Sequence, residues 1–221
     1  MRVLVCLALA AIAGAAEAAE QPATRPGRLE FEVLRQGDKP FGAHAITVRR
    51  EGDGVLAVED VTHYEVKAGP FTVYRYDRRC EERWREGRLV SFDCTTKDGG
   101  RTIVVAGVAG PEGLSIEAPK GGASYPPGAQ HFAPWNLAYA RAPLLIDTET
   151  GKPMEGGARE VEPAPFQLGA RTLRARRFRV EGSIGGYAFY DAEGRWVGLE
   201  FKGGGQKIRY VLRSPLEEAP R

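Results

Sequence analysis

Residues 187–212 read Tyr-Ala-Phe-Tyr-Asp-Ala-Glu-Gly-Arg-Trp-Val-Gly-Leu-Glu-Phe-Lys-Gly-Gly-Gly-Gln-Lys-Ile-Arg-Tyr-Val-Leu, and this stretch decides the fold. Side chains alternate across a strand, so Ile208, Tyr210 and Leu212 share one face while Lys207, Arg209 and Arg213 take the other. Val197, Leu199 and Phe201 alternate in the same way with Trp196, Gly198 and Glu200. Asp191 to Gly194 and the run Gly203, Gly204, Gly205 supply the turn chemistry between three strands. The stretch is an antiparallel meander.

Outward from it, most of the chain repeats the pattern. Leu29, Phe31 and Val33 alternate with Arg28, Glu30 and Glu32, which marks a half-buried strand. Further strand-like runs cover 43–50, 55–67, 71–84, 88–96, 102–108, 114–118 and 171–181, each bounded by Gly, Pro or Asp turns. This is the grammar of a single all-β domain over 28–213. Residues 119–165 break the pattern: Gly121 to Gly128 contains Pro126 and Pro127, and proline removes ladder donors from a central strand. The 119–165 segment therefore reads as an insert, with a turn or two of helix starting near Pro134 and strand-like sequence resuming near Ala158. Long ordered loops on a rigid scaffold are where binding usually resides. Residues 19–27 read as a disordered lead and 214–221 as a loose tail.

Residues 1–18 carry the pattern of a secretory signal peptide. Arg2 is the positive region, Val3 to Ala13 the apolar core, and Ala16-Glu17-Ala18 a small-x-small cleavage site. The mature protein is expected to be soluble and periplasmic, with no transmembrane segment. Cys6 lies inside the leader, which leaves Cys80 and Cys94. In an oxidising compartment an even pair is most simply a disulfide. The two cysteines flank a hairpin turning at Glu86-Gly87. A turn centred on Gly87 sets them opposite each other and a two-residue turn offsets them by one, so the bridge argues for the odd-length turn. A formal net charge of +2 gives no case for nucleic acid or for an anionic membrane.

No catalytic motif emerges. His44, His63 and His131 are not spaced as zinc ligands, and no metal or cofactor is expected. No serine sits in a G-x-S-x-G elbow, and Gly203 to Lys207 lacks the spacing of a phosphate loop. Arg171, Arg174, Arg176, Arg177 and Arg179 crowd one strand and emerge on both faces, which suits cross-strand pairing with Glu59, Glu65, Glu81 or Glu82. An arginine held beneath the insert, meeting an anionic head group, is the alternative. Glu86-Gly-Arg-Leu-Val90 echoes Glu193-Gly-Arg-Trp-Val197, which either duplication or convergence on good turn chemistry explains.

The order of short motifs resembles a family of exported bacterial proteins known as a domain of unknown function. The matching pieces are Gly37-x-x-x-Phe-Gly42, Glu82-x-Trp84-x-x-Gly-Arg-Leu-Val90, Trp135-Asn136, Leu145-Ile-Asp-x-x-Thr-Gly151, Tyr190-Asp-x-x-Gly-Arg-Trp-Val197 and Ile208-x-Tyr-x-Leu212. Phe189 stands where the family pattern has Trp, and Gly204 where it has Asp. Such proteins are similar in outline to lipoprotein-carrier half-barrels. That likeness implies one strongly curved antiparallel sheet, an open half-barrel of about 10–12 strands, with a short helical or loop insert on its concave face. It also implies an apolar or amphipathic ligand such as a lipid. An assembly role in the cell envelope is the second reading, and an enzyme acting on envelope glycan or lipid the third. The expected ligand contacts are Phe132, Trp135, Tyr139 and Trp196. Trp135 and Tyr139 lie four apart, so on a helical turn they share a face that would meet the inward aromatics of the final meander.

Overall fold

The computed structural model describes residues 27–213. The expected leader (1–18), all of the expected lead except Gly27, and the tail (214–221) lie outside them. The first eight strands follow one another in hairpins: β1 (Gly27–Arg35), β2 (Lys39–Arg50), β3 (Val55–Ala68), β4 (Phe71–Arg85), β5 (Arg88–Asp98), β6 (Arg101–Gly110), β7 (Gly113–Glu117) and β8 (Ala123–Tyr125). The insert holds β9 (Gln130–His131), β10 (Leu145–Ile146) and β11 (Pro153–Met154), and the chain ends with β12 (Ala158–Leu168), β13 (Arg171–Val180), β14 (Gly186–Tyr190), β15 (Trp196–Gly203) and β16 (Gln206–Leu212).

Thirteen strands form one antiparallel sheet in the order β12-β13-β14-β15-β16-β1-β2-β3-β4-β5-β6-β7-β8. The sheet is open, with β12 and β8 as its edges. The C-terminal meander pairs back on the N-terminal strand, Val33 opposite Tyr210 and Phe31 opposite Leu212, so both ends of the domain are central strands. Pro163 and Pro165 lie in edge strand β12, where a missing donor costs no ladder bond on the solvent side.

Three expectations change. The insert begins later than residue 119, because β8 extends the main sheet there; at its other end strand β12 begins at Ala158, where strand-like sequence is expected to resume. The described residues contain no α-helix; the expected helical turn is a 3₁₀ turn, Leu137–Arg141, capped where the Asn136 side chain accepts from the Ala138 N–H at 3.1 Å. Small β9, β10 and β11 make a second, three-stranded sheet around it.

The third change concerns register. Glu86 and Gly87 both have positive φ (50° and 73°), the geometry of a two-residue hairpin turn, not the odd-length turn expected. Cys80 nevertheless faces Cys94, because Val90 is bulged out between the pairs Trp84–Leu89 and Arg83–Ser91. The two are disulfide-bonded with Cα atoms 4.1 Å apart. The second copy of the motif does the same: Val197 is extra between the pairs Tyr190–Trp196 and Phe189–Gly198. A bulge turns the following side chains to the other face. Trp196 therefore joins Leu199 and Phe201 on one face, and Val197 moves to the other. The expected grouping of Val197 with Leu199 and Phe201 does not occur.

The main core lies between the insert and one face of the sheet, and takes Phe31, Ile46, Trp84, Phe92, Tyr139, Ile146, Tyr190 and Trp196 among others. A smaller cluster on the opposite face joins Phe166, Phe189, Ala175, Val197 and Val211. Phe166 stacks on Phe189 at 4.6 Å and lies over Gly198, where any Cβ would strike its ring.

Candidate functional site

Along β3 and β4 the inward positions are Leu56, Val58, Asp60, Thr62, Tyr64 and Tyr76, Arg78, Cys80, Glu82, Trp84. Polar side chains thus occupy positions in the core phase. Sheet pairing aligns His44 of β2, Thr62, Arg78 and Thr96 of β5 in one row, with Asp60 beside it. All five of these residues except Arg78 are almost closed to solvent: His44 is 5 % exposed, Asp60 6 %, Thr62 4 % and Thr96 0 %.

His44 Nδ1 is 2.6 Å from the Thr62 hydroxyl and 3.6 Å from Asp60 Oδ1. Arg78 Nη1 lies 3.1 Å from Asp60 Oδ1, and its Nη2 donates to Thr148 Oγ1 of the insert at 3.1 Å. Burial lowers the His44 pKa and outweighs the raising influence of Asp60, so the ring is held neutral. Burial pushes Asp60 upward, but the charge and hydrogen bonding of Arg78 prevail and hold it below the usual carboxylate value. Arg78 is likewise kept charged against burial by Asp60.

His44, Asp60, Thr62 and Arg78 form one wall of a cavity of about 630 Å³. The facing wall comes from β15 and β16: Trp196, Leu199, Phe201, Ile208 and Tyr210. The insert closes it with Phe132, Pro134, residues 146–149 and Met154. At the end carrying the β1–β2, β3–β4 and β15–β16 turns, the lining includes the exposed Tyr74 and Gly204; towards the other end it is the buried Trp196 and Leu199. Phe41, Tyr64 and Tyr76 stack successively at 4.8 and 5.0 Å on this rim. Tyr76 donates to Glu149 of the insert at 2.5 Å, and burial raises its pKa. Burial, with Asp98, pushes Tyr74 up to about 12.

A second buried polar group joins Glu82 of β4 to His131 of the insert. Glu82, 2 % exposed, accepts from Trp84 Nε1 at 2.7 Å, and its Oε2 lies 3.4 Å from Nε2 of the fully buried His131. Glu82 is thus no partner for the β13 arginines. Nor are Glu59, Glu65 and Glu81, which sit on β3 and β4, six and seven strands away in sheet order from β13. Arg176 instead pairs bidentately with Glu160 on β12 at 2.8 and 2.9 Å, and Arg179 with Glu181 at 3.2 Å. The buried arginine is Arg78, which lies on β4. The signal that marks it is a charge in the apolar phase of a strand. His63 is a half-buried cross-strand partner of Asp77 at 2.6 Å, while His44 is a core residue and not a surface one. Among the described residues no group of three or more His, Cys, Asp or Glu is placed to hold a metal ion.

Of the four expected ligand contacts, Phe132 and Trp196 line the cavity. Trp135 and Tyr139 lie outside its lining. Trp135 packs edge-on against Trp84 with ring centroids 5.2 Å apart, and Tyr139 is 1 % exposed against Phe132 at 5.0 Å. The two do not meet Trp196 together, because the 3₁₀ turn starts after Trp135 and sends it towards β4. The meander contact on this side is Tyr190, which donates to the Pro134 carbonyl at 2.8 Å.

The class defined by this geometry is an all-β protein with one open thirteen-stranded sheet, an insert across one face and a cavity between them. Residues 31–213 match the family model described as Domain of unknown function (DUF6134), and the chain belongs to that family. No curated protein and no solved structure matches the chain. Among the described residues no helix is long and apolar enough to cross a membrane.

Proposed function

We propose that this protein binds and carries an apolar or amphipathic ligand, such as a lipid, in the periplasm. The observation that carries the reading is the cavity: its volume falls in the range of small-molecule sites, and it joins an aromatic and aliphatic wall to a few fixed polar groups. A sheet packed solid against its insert would leave no such space.

The reading includes a strongly curved, half-barrel sheet, like that of the lipoprotein carriers. Tyr64 on β3 and Tyr210 on β16 hydrogen-bond hydroxyl to hydroxyl although β1 and β2 lie between their strands. Three strand spacings are roughly 14 Å in a flat sheet, so a hydroxyl contact between two side chains standing off the same face supports a sheet curved around them. The leader over 1–18 and the disulfide both suit export to an oxidising compartment.

Purification from the periplasm, followed by native mass spectrometry and organic extraction, tests the reading. A stoichiometric co-purifying lipid is expected. Protein that emerges empty and takes up no lipid from vesicles would end it.

A second reading, an assembly role in the envelope, rests on Phe71 and Val73, which are 72 % and 62 % exposed on the β3–β4 hairpin. Residues 65–68 and 71–75 of that hairpin reach past the last pairs of β2 and β5, so the apolar tip stands clear of the sheet. Pull-down of an envelope protein, lost in Phe71→Ser/Val73→Ser, is the result that favours it.

A further inference from the structure

Five charged side chains line the cavity, and four are engaged. Asp60 is held by Arg78 at 3.1 Å. Asp147 accepts from the Glu149 and Thr150 backbone N–H groups at 2.7 and 3.2 Å. Glu149 accepts from the Tyr76 hydroxyl. The fifth is Arg35, the last residue of β1, which has no carboxylate and no hydrogen-bond acceptor among the described residues. Its guanidinium lies over the Phe41 ring at 5.6 Å, and its Nε is buried without a partner. The aromatic contact fixes the fork in place without satisfying its donors. A buried donor left unpaired is costly, and here it sits at the turn end of the cavity, where the exposed lining residues are.

We infer that Arg35 is the head-group anchor of the cavity, and that the ligand is an amphiphile with an anionic oxygen head, a carboxylate or a phosphate, on an apolar tail. The inference rests on the carrier reading and specifies its ligand class. The guanidinium fork offers paired N–H donors that match either head group bidentately. The tail would then run inward along Ile208, Leu199 and Trp196. Arg78 cannot serve the same purpose without giving up Asp60, whose charge would be stranded in the core.

The test uses three probes with one oleoyl chain: oleate, the matching lysophosphatidate, and the uncharged glycerol ester. Binding to the delipidated full-length mature protein is measured by calorimetry and native mass spectrometry. The wild type should bind at least one anionic probe about tenfold more tightly than the ester, and the tighter of the two identifies the head group. Arg35→Gln should abolish that difference while leaving ester binding intact, and Arg35→Lys should keep part of it. Because Arg35 makes no ion pair among the described residues, Arg35→Gln should keep the wild-type melting temperature; should it not fold, Arg35→Met is measured in its place. Equal binding of all three probes by the wild type, or an undiminished preference in Arg35→Gln, overturns the inference and leaves the carrier reading standing. Binding of none overturns both.

Discussion

Arg78 Nη1 stands 3.1 Å from Asp60 Oδ1 in the cavity wall, with 12 % and 8 % of the two side chains exposed. Neither charge has an equivalent solvent shell to fall back on. Arg78→Met leaves a buried carboxylate uncompensated, which should cost about 3–5 kcal/mol. Asp60→Asn combined with Arg78→Met removes both charges and should recover most of the loss. Urea unfolding of the three proteins checks it; an Arg78→Met protein as stable as the wild type would show that the pair carries no weight.

Acidification should weaken the fold in two stages. The unfolded His44 titrates near 6.5, whereas burial lowers its pKa in the folded protein. Below the unfolded value the unfolded chain binds more protons, so the contribution of His44 is complete above about pH 6.5 and declines as the pH falls towards the folded value. Asp60 and Asp77, lowered from 3.8, and Glu160, lowered from 4.5, work the other way in charge but the same way in direction. Their contribution is present above those unfolded values and is lost as pH falls through the folded ones. Melting temperature should therefore drop first between pH 7 and 5, and His44→Gln should flatten that step alone. An unchanged step in His44→Gln would assign it to another group.

Cys80 and Cys94 are both fully buried, and they close a loop with a sequence separation of 14. A cross-link of this length stabilises by about 3 kcal/mol in the chain-entropy model. Cys80→Ala/Cys94→Ala should lose about that amount in urea unfolding. Because the sulfurs are inaccessible, dithiothreitol should leave the native protein oxidised and reduce it only in denaturant. Free thiols in native, freshly prepared protein would refute the bond itself.

What could be read in the chain and what could not divide along a physical line. Alternation and turn chemistry are local, so the meander of residues 187–212, the long β3–β4 and β4–β5 hairpins and the cysteine pair were all legible. A bulge adds one residue and reverses every face beyond it. Val90 and Val197 look like any strand valine, so alternation alone predicts an odd-length turn at Gly87 and sets Trp196 on the face opposite Leu199. The insert pieces β9, β10 and β11 have two residues each, too short to show a period. The polar row His44, Thr62, Arg78 and Thr96 arises from pairing across four strands, which no single stretch encodes. Its trace was present all the same: Asp60, Thr62, Arg78 and Glu82 fall in phase with Leu56, Val58, Cys80 and Trp84. Polar residues in an apolar phase are costly unless partnered, and such positions were the place to look.

The two tryptophans should separate folding from binding. Trp135 is 8 % exposed, packs on Trp84 and lies off the cavity lining, so Trp135→Ala should cost about 3–5 kcal/mol. Protein that remains folded should retain its ligand at the wild-type level. Trp196 lines the cavity, packs tilted against Phe31 at 4.2 Å and donates from Nε1 to the Gly198 carbonyl at 2.7 Å. Trp196→Phe keeps an aromatic ring in the core but withdraws the indole from the cavity wall and removes that hydrogen bond. It should reduce lipid retention with a smaller loss of stability than Trp135→Ala. Native mass spectrometry well below each melting temperature, paired with thermal unfolding, measures both quantities on the same samples; if Trp135→Ala does not fold, Trp135→Phe supplies the milder comparison. A Trp135 variant that sheds lipid while its melting temperature barely moves would place that ring on the ligand and reverse the assignment.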